Sequence, residues 1–243
     1  MFTQIYKEKF PKSISIIMDG NGTWSEKTHL KRFLGHYIGG KKSFFLIEHC
    51  FNIDLQNVTL YTFSHENWGR HLMEVKNIFA MLYYFMIKFS KNMKKKSIKF
   101  YIIGQMTNIP LNIKNVTTYH SYNIIKKMIT ILALSYGGRN DIINGMKKKF
   151  LDYFYIKIPN INEVDFNRFY ISTKKFSEPD VIIRFGNQSR LSNFLLWQAS
   201  YTELFFLNKL WPDYSRKILT NLLKSFAFCN RKFGVIKKDI CVK

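Results

Sequence analysis

Along the chain, short apolar runs rich in β-branched and aromatic residues alternate with longer stretches whose apolar positions recur at helical spacing. The runs Ser13–Met18, Asn57–Phe63, Ile98–Ile103, Ile129–Ser135, Val181–Phe185 and Glu203–Leu207 predict strands. Between them, Gly39–Phe51, Glu74–Lys95, Ile113–Lys127, Asp141–Phe154 and Tyr214–Asn230 have room for helices. Strands alternating with helices predict an α/β fold, a single domain over residues 1–243 with a mostly parallel central β-sheet flanked by helices. No internal repeat and no Pro/Ser-rich linker interrupts it. Lys91–Lys96 and Lys147–Lys149 are charge runs expected at exposed helix ends. After Glu74, the residues Val75, Ile78, Phe79, Leu82, Met86 and Phe89 form a wide apolar stripe, which serves as core or, beside a phosphate site, as the wall of a hydrocarbon tunnel.

Composition narrows this picture only in part. With 243 residues and 47% hydrophobic content, the chain can bury a substantial core and is not disordered as a whole. Ala occurs only at Ala80, Ala133, Ala199 and Ala227, so bulky Ile, Leu and Phe must build that core. The 38 Lys+Arg against 16 Asp+Glu give +22, which points to nucleic acid, an anionic membrane or phosphate-bearing substrates. Yet 30 of the 38 are Lys, in a chain also rich in Ile, Asn, Phe and Tyr. That is the bias of an A- and T-rich coding sequence, and much of the charge reads as a solvated surface. No RNP-like, zinc or helix-turn-helix signature accompanies it, and no nucleic acid partner is expected.

Cys50, Cys229 and Cys241 are an odd, widely spaced set without CxxC, which argues against a disulfide framework and a zinc site. The apolar run Ile14–Met18 stops at Asp19, so no signal peptide is visible. The run Ile78–Ile87, bounded by Lys76 and Lys88, is too short for a bilayer span of about 20 residues. A reducing, cytoplasmic location is expected, compatible with a peripheral place at the inner face of the membrane.

In an open parallel sheet, ligands bind beyond the carboxyl ends of the strands. Four segments follow predicted strands there: Asp19–Trp24, Ser64–Arg70, Tyr136–Arg139 and Gly186–Ser192. Five of the eight arginines (Arg32, Arg70, Arg139, Arg184 and Arg190) lie in or beside them, where a planar bidentate donor suits phosphate or carboxylate. In Asp19-Gly20-Asn21-Gly22, the glycines let backbone N–H groups approach an anion, and Asp19 can hold Mg²⁺ through one carboxylate. An ordinary strand-to-helix turn with an Asp cap explains the same residues equally well. The segment is neither Walker A nor GxGxxG.

Ser64, Glu66, Asn67, Trp68 and Arg70 crowd the exit of the second strand, which suits proton handling or orientation of a reacting group. A capped helix start, with Ser64 and Asn67 as caps and Trp68 as a staple, is the plainer alternative. Arg184, Arg190 and Ser192 make a diphosphate clamp. Glu203, an acid in an apolar strand, calls for a cation, an arginine or a metal.

These segments resemble the cis-prenyltransferase family, and within it the bacterial undecaprenyl diphosphate synthases. The matching stretches are Ile16–Gly22, Gly35-His36, Leu60–Trp68, Tyr136–Arg139, Arg190–Gln198, Glu203–Phe206 and Leu210–Asp213, in family order from about Ser13 to Gly234. The resemblance implies condensation of isopentenyl diphosphate onto farnesyl diphosphate in cis to give undecaprenyl diphosphate, a carrier lipid for cell-wall synthesis. It also implies Mg²⁺, a homodimer, and a parallel sheet with a hydrophobic product tunnel. Carried over, Asp19 resembles the catalytic Asp and Mg²⁺ ligand. Gly20, Asn21, Gly22, Thr23 and Trp24, with Arg32 and His36, resemble the allylic diphosphate pocket. Asn67 resembles the residue assigned to proton removal, beside Ser64, His65, Glu66, Trp68 and Arg70 as substrate contacts. Arg184, Arg190, Leu191 and Ser192 resemble the homoallylic clamp, and Glu203 a second metal position. Three departures stand out: Thr23 where the family usually has Arg, Asn187-Gln188 where it has Gly and an acid, and Ser189, a weaker metal ligand, where it has His. Members of the abundant lysine set favour an anionic membrane surface, a fitting place to release a polyprenyl product.

Overall fold

The six predicted strands assemble into one sheet in the computed structural model, which describes residues 9–121, 127–156, 166, 172–173 and 175–231. They are β1 (Ser13–Ile17), β2 (Asn57–Ser64), β3 (Ile98–Ile103), β4 (Met128–Tyr136), β5 (Val181–Arg184) and β6 (Glu203–Phe206). The helices are α1 (Asn21–Lys27), α2 (Arg32–Asn52), α3 (Leu72–Lys95), α4 (Leu111–Ser121), α5 (Gly138–Ile156) and α6 (Arg216–Ala227), with 3₁₀ turns at His65–Gly69 and Trp211–Asp213. Sheet order is β3-β4-β2-β1-β5-β6, and every pairing is parallel. Both Cys50 and Cys229 are free, and Cys241 lies outside the described residues.

Parallel strands buried on both faces read as continuous apolar runs, and all five residues of β1 and all nine of β4 are buried. Alternation then sorts them between two cores. Ile14, Ile16, Leu60, Leu134 and Ile183 face α2, α3 and α6, where Phe44, Phe85, Trp211 and Leu219 complete the larger core. Ile17, Ile131, Ala133 and Ile182 face the other way, against Phe194 and Leu195 of the loop between β5 and β6. The buried carboxylate of Asp141 on this side accepts from Tyr136 Oη (3.0 Å), Gln198 Nε2 (3.1 Å) and the Ser172 N–H (3.0 Å), which offsets its desolvation.

The helix starts depart most from the pattern next to β1: the helix α1 follows the Asp19–Gly20 turn where no helix is among the predicted ones, and α2 begins at Arg32 rather than Gly39, while the other helices start two or three residues from their predicted positions. The predicted helix Ile113–Lys127 runs as α4 to Ser121, and residues 122–126 lie outside the described ones. Lys147 and Lys148 are exposed within the body of α5 rather than at its end. Among the described residues, no helix is long and apolar enough to cross a membrane.

Candidate functional site

Sheet order reverses about β1, with β2 on one side and β5 on the other, and the crevice expected at such a switch point is present. It is a cavity of about 630 Å³ at the carboxyl ends of these three strands. Asp19, Gly20, Asn21, Gly22 and Thr23 line one wall, Arg32 and His36 of α2 another, Ser64, Glu66, Asn67 and Arg70 a third, and Arg184 and Ser192 the floor. Four sequence segments separated by up to about 170 residues therefore meet in one crevice.

The floor is fixed by a buried guanidinium. Arg184, the last residue of β5, is 3% exposed and donates Nη2 to Asp19 Oδ2 (2.7 Å), and Nη1 to Ser192 Oγ (2.7 Å) and the Arg190 carbonyl. Burying an arginine is costly unless its donors are matched; these three acceptors serve both Nη atoms, while the buried Nε has no hydrogen-bond partner among the described residues. Asp19 Oδ1 also accepts the Gly20 N–H (2.7 Å), yet its side chain remains 41% exposed to the cavity. Asp19 does not cap α1; Gly20 occupies the N-cap. The Arg184 side of the site closes on Asp19 only because Gly186 has no side chain: its φ is +98°, and a Cβ there would stand 2.8 Å from the Asp19 Cβ.

The β2 exit shows the capped helix start, and the same residues line the cavity. Ser64 and Asn67 form a capping box, in which Asn67 Oδ1 accepts the Ser64 N–H (3.1 Å). That bond leaves the Asn67 amide hydrogens for the cavity, so the side chain can donate to an anion and cannot accept a proton. Burial disfavours the ionised form of Glu66, but hydrogen bonds from Asn193, its own backbone N–H and Ser64 outweigh that and hold its carboxyl below the usual range. Burial pushes the Tyr61 phenol up, so it stays protonated and donates to the carbonyls of Tyr136 and Ser192 (both 3.2 Å).

The arginines of the upper wall are organised by a residue that sequence reasoning missed. Glu74 Oε1 lies 3.0 Å from Arg70 Nη1, 3.5 Å from Arg32 Nε and 3.6 Å from His36 Nε2. Burial lowers the His36 pKa more than Glu74 raises it, so the imidazole is neutral at neutral pH. Glu74 itself is held below its ordinary value of 4.5, because Arg32, Arg70 and His36 outweigh its desolvation. A depressed carboxylate contributes stability above the unfolded pKa and loses it as pH falls through the folded one. Glu74→Gln is therefore expected to melt lower than the parent at pH 7, with the two melting curves converging below pH ~4.5.

Other assigned residues fall elsewhere. Trp24 lies outside the cavity lining and donates Nε1 to Asp213 (2.9 Å). The Trp68 indole stacks on Phe79 and donates to Ser135 Oγ (2.8 Å), and His65 is outside the cavity lining, its buried Nδ1 without a hydrogen-bond partner among the described residues. Arg190 is exposed and bonded to Gln188, while Leu191 packs into the smaller core. Ser189 is exposed on the same loop.

Glu203, the residue that resembles a second metal position, lies apart from Asp19 within this chain. It opens β6 opposite Val181, whereas Asp19 follows Ile17, which pairs with Arg184 at the far end of β5. Three strand residues separate those levels, about 10 Å. Partial exposure on the edge strand solvates its charge without a cation. Among the described residues, no three His, Cys, Asp or Glu side chains gather to hold a metal ion. Asp19 has the character Mg²⁺ requires, a hard, partly solvated carboxylate open to a ligand's phosphates.

A second, apolar cavity of about 90 Å³ adjoins the first and shares Met18, Asn21, His36, Tyr61, Thr62 and Ile78 with it. It runs between α2 and α3, walled by Phe44, Ile47, Met81, Leu82 and Phe85. Of the predicted stripe, Val75, Phe79 and Met86 are core, whereas Ile78 and Leu82 form cavity wall. A polar, arginine-lined crevice thus opens beside an apolar seam, a pairing suited to an ionic head and a hydrocarbon tail.

A family model described as "Putative undecaprenyl diphosphate synthase" matches residues 17–234. The chain belongs to this undecaprenyl diphosphate synthase family. Members of the family include an isoprenyl transferase of Clostridium tetani, 35% identical over 236 residues that cover 95% of this chain and 92% of that protein. The ditrans,polycis-undecaprenyl-diphosphate synthase ((2E,6E)-farnesyl-diphosphate specific) of Wigglesworthia glossinidia brevipalpis is 37% identical, covering 96% of this chain and 91% of that protein. Among solved structures, lavandulyl diphosphate synthase from Lavandula x intermedia, in complex with dimethylallyl diphosphate, superposes with a TM-score of 0.89 at 28% identity, covering 94% of this chain and all of that one. The crevice described above is therefore that of a prenyltransferase-family protein.

Proposed function

We propose that this protein is a cis-prenyl chain-elongating enzyme that adds isopentenyl diphosphate to farnesyl diphosphate and releases undecaprenyl diphosphate. The observation that carries the reading is the Asp19–Arg184–Ser192 floor between two further arginines, directly beside the apolar seam of α2 and α3. Relatives named for farnesyl-specific synthesis, and a structural neighbour with an allylic diphosphate bound, support the substrate class.

In this reading Arg32 and the N–H groups of Asn21, Gly22 and Thr23, which precede the first helical hydrogen bond from Trp24 to Gly20, hold the allylic diphosphate. Arg184 and Ser192 hold isopentenyl diphosphate, and the farnesyl tail enters the seam. The terminal alkene carbon of isopentenyl diphosphate bonds to C1 of the allylic partner as its diphosphate departs, and a C2 proton leaves to form the new double bond. Asn67 can orient a diphosphate oxygen that takes this proton, since its own amide is left as a donor. The chemistry Mg²⁺ supplies when bound is neutralisation of charge on the leaving diphosphate, and Asp19 is the residue that fits it. The seam must widen to admit a growing chain, for 90 Å³ holds only a few carbons. Pairing of two chains and contact with an anionic membrane belong to the same proposal.

The test is a product assay. Purified protein, farnesyl diphosphate, labelled isopentenyl diphosphate and Mg²⁺ are expected to yield an 11-isoprene product that disappears when Mg²⁺ is chelated. A shorter or longer product would keep the reaction class and replace the product; no incorporation would overturn the reading.

A further inference from the structure

Three of the loops that build the crevice follow different strands, β2, β4 and β5, and beyond the strand ends no ladder hydrogen bonds hold them in register. Tyr61 reaches Tyr136 and Ser192 from within β2, and a second side chain, Asn193, ties the loops themselves together. Asn193 Nδ2 donates to Glu66 Oε1 (2.7 Å) in the turn after β2, and Asn193 Oδ1 accepts the Arg139 N–H (2.9 Å) at the start of α5. Its carbonyl accepts the Gly138 N–H (2.7 Å). The preceding residue is Ser192, which bonds Arg184. Both Ser192 and Asn193 have left-handed backbones, φ 48° and 63°, which a β-branched or bulky residue would resist, and Asn tolerates such a backbone better than most.

We propose that Asn193 is the positioning residue that keeps the Arg184–Ser192 half of the site in register with the Glu66–Asn67 half. This rests on the proposed reaction, in which the first half holds isopentenyl diphosphate and Asn67 of the second orients the diphosphate oxygen that takes its proton. Bond formation between two clamped substrates is sensitive to their separation, and a displacement of about 1 Å costs roughly 100-fold in rate. Asn is specified at this position because one end must accept from a backbone N–H while the other donates to an ionised carboxylate. Asp could supply only acceptors. Its carboxylate would face Glu66 at hydrogen-bond distance, and two like charges there cannot both stay ionised without cost.

The test uses that polarity. Asn193→Asp is expected to lower kcat about 100-fold at pH 8, with KM for either diphosphate changed less than threefold. As pH falls toward 5.5 the two carboxylates come to share a proton, and the kcat deficit should narrow at least fivefold. In a Glu66→Gln background, the Gln amide can donate to the new carboxylate, so Asn193→Asp should cost far less there than in the parent. Melting temperatures of the same four proteins give the coupling without any turnover. A pH-independent loss, or an equal loss in both backgrounds, would reduce Asn193 to a general fold contact and overturn the inference. If the parent makes no product, the proposed reaction fails on its own; absent coupling in the melts then removes the strut as well, whereas coupling present would keep the strut and discard its role in transfer.

Discussion

Asp19→Ala should reduce product formation by at least 10²–10³-fold, roughly what loss of one preorganised charge contact at a reacting oxyanion costs, while the chain stays folded. Among the described residues, the carboxylate is the only acid that both bonds the buried guanidinium of Arg184 and opens to the cavity. Removing it leaves one Nη2 donor of Arg184 without its acceptor, at a cost of about 1–3 kcal/mol. The other acceptors, Ser192 Oγ and the Arg190 carbonyl, remain, and water entering beside the exposed position of Asp19 replaces part of what is lost. The more informative substitution is Asp19→Asn. Its single amide oxygen can still accept from Arg184, while the amide nitrogen that takes the place of Oδ1 cannot accept the Gly20 N–H, so the guanidinium keeps its acceptor and the melting temperature should fall less than in Asp19→Ala, yet the negative charge is gone. Product assays on the two variants are expected to show nearly equal losses. Recovery of most activity in Asp19→Asn would mean that Asp19 only orients Arg184, and that its charge has no part in transfer.

Much of this site was legible because its residues sit at strand exits. β3 spans the residues predicted for it, β1 and β2 differ from prediction by one residue at one end and β4 by one at each end, since buried parallel strands announce themselves as apolar runs. The helices were harder. α1 contains Gly22 and starts after Gly20, and its buried Ser25 mimics a loop; packing on α2, not propensity, makes it helical. Gly35, Gly39 and Gly40 likewise blur the first turns of α2. Glu74 and Asn193 carried no local signal, for their importance lies in partners as far as 127 residues away. Trp24 and Trp68 read as ligand contacts, whereas each has its indole N–H bonded within the protein. Glu203 shows the reverse: it opens its strand, and ligands gather where strands end, so its distance from Asp19 was already implicit in strand direction.

The close seating of α1 on α2 also sets the second large effect. Gly35→Ala is expected to destabilise the protein by about 1–3 kcal/mol and to weaken binding at the allylic diphosphate wall, a loss out of proportion to one methyl group. Gly35 is buried in α2, and a Cβ built on it collides with the backbone oxygen of Asn21 and with Ser25 Oγ. Most overpacked sites relax by rotating a side chain, but here the obstacle is main chain. The oxygen belongs to Asn21 at the first turn of α1, and the hydroxyl of Ser25 already bonds the Asn21 and Arg32 carbonyls (3.2 and 3.4 Å). Relief requires α1 to move away from α2, which carries Asn21, Gly22 and Thr23 off the cavity wall and pulls the Gly22 backbone from under the Arg32 guanidinium. Arg184, Ser192 and the β2 exit are untouched by that movement. KM for farnesyl diphosphate should therefore rise by at least tenfold while KM for isopentenyl diphosphate changes little, and the melting temperature should fall by about 2–8 °C. Equal increases in both KM values would show that the two walls move together, and parental values for both would show that α1 adjusts without leaving the site.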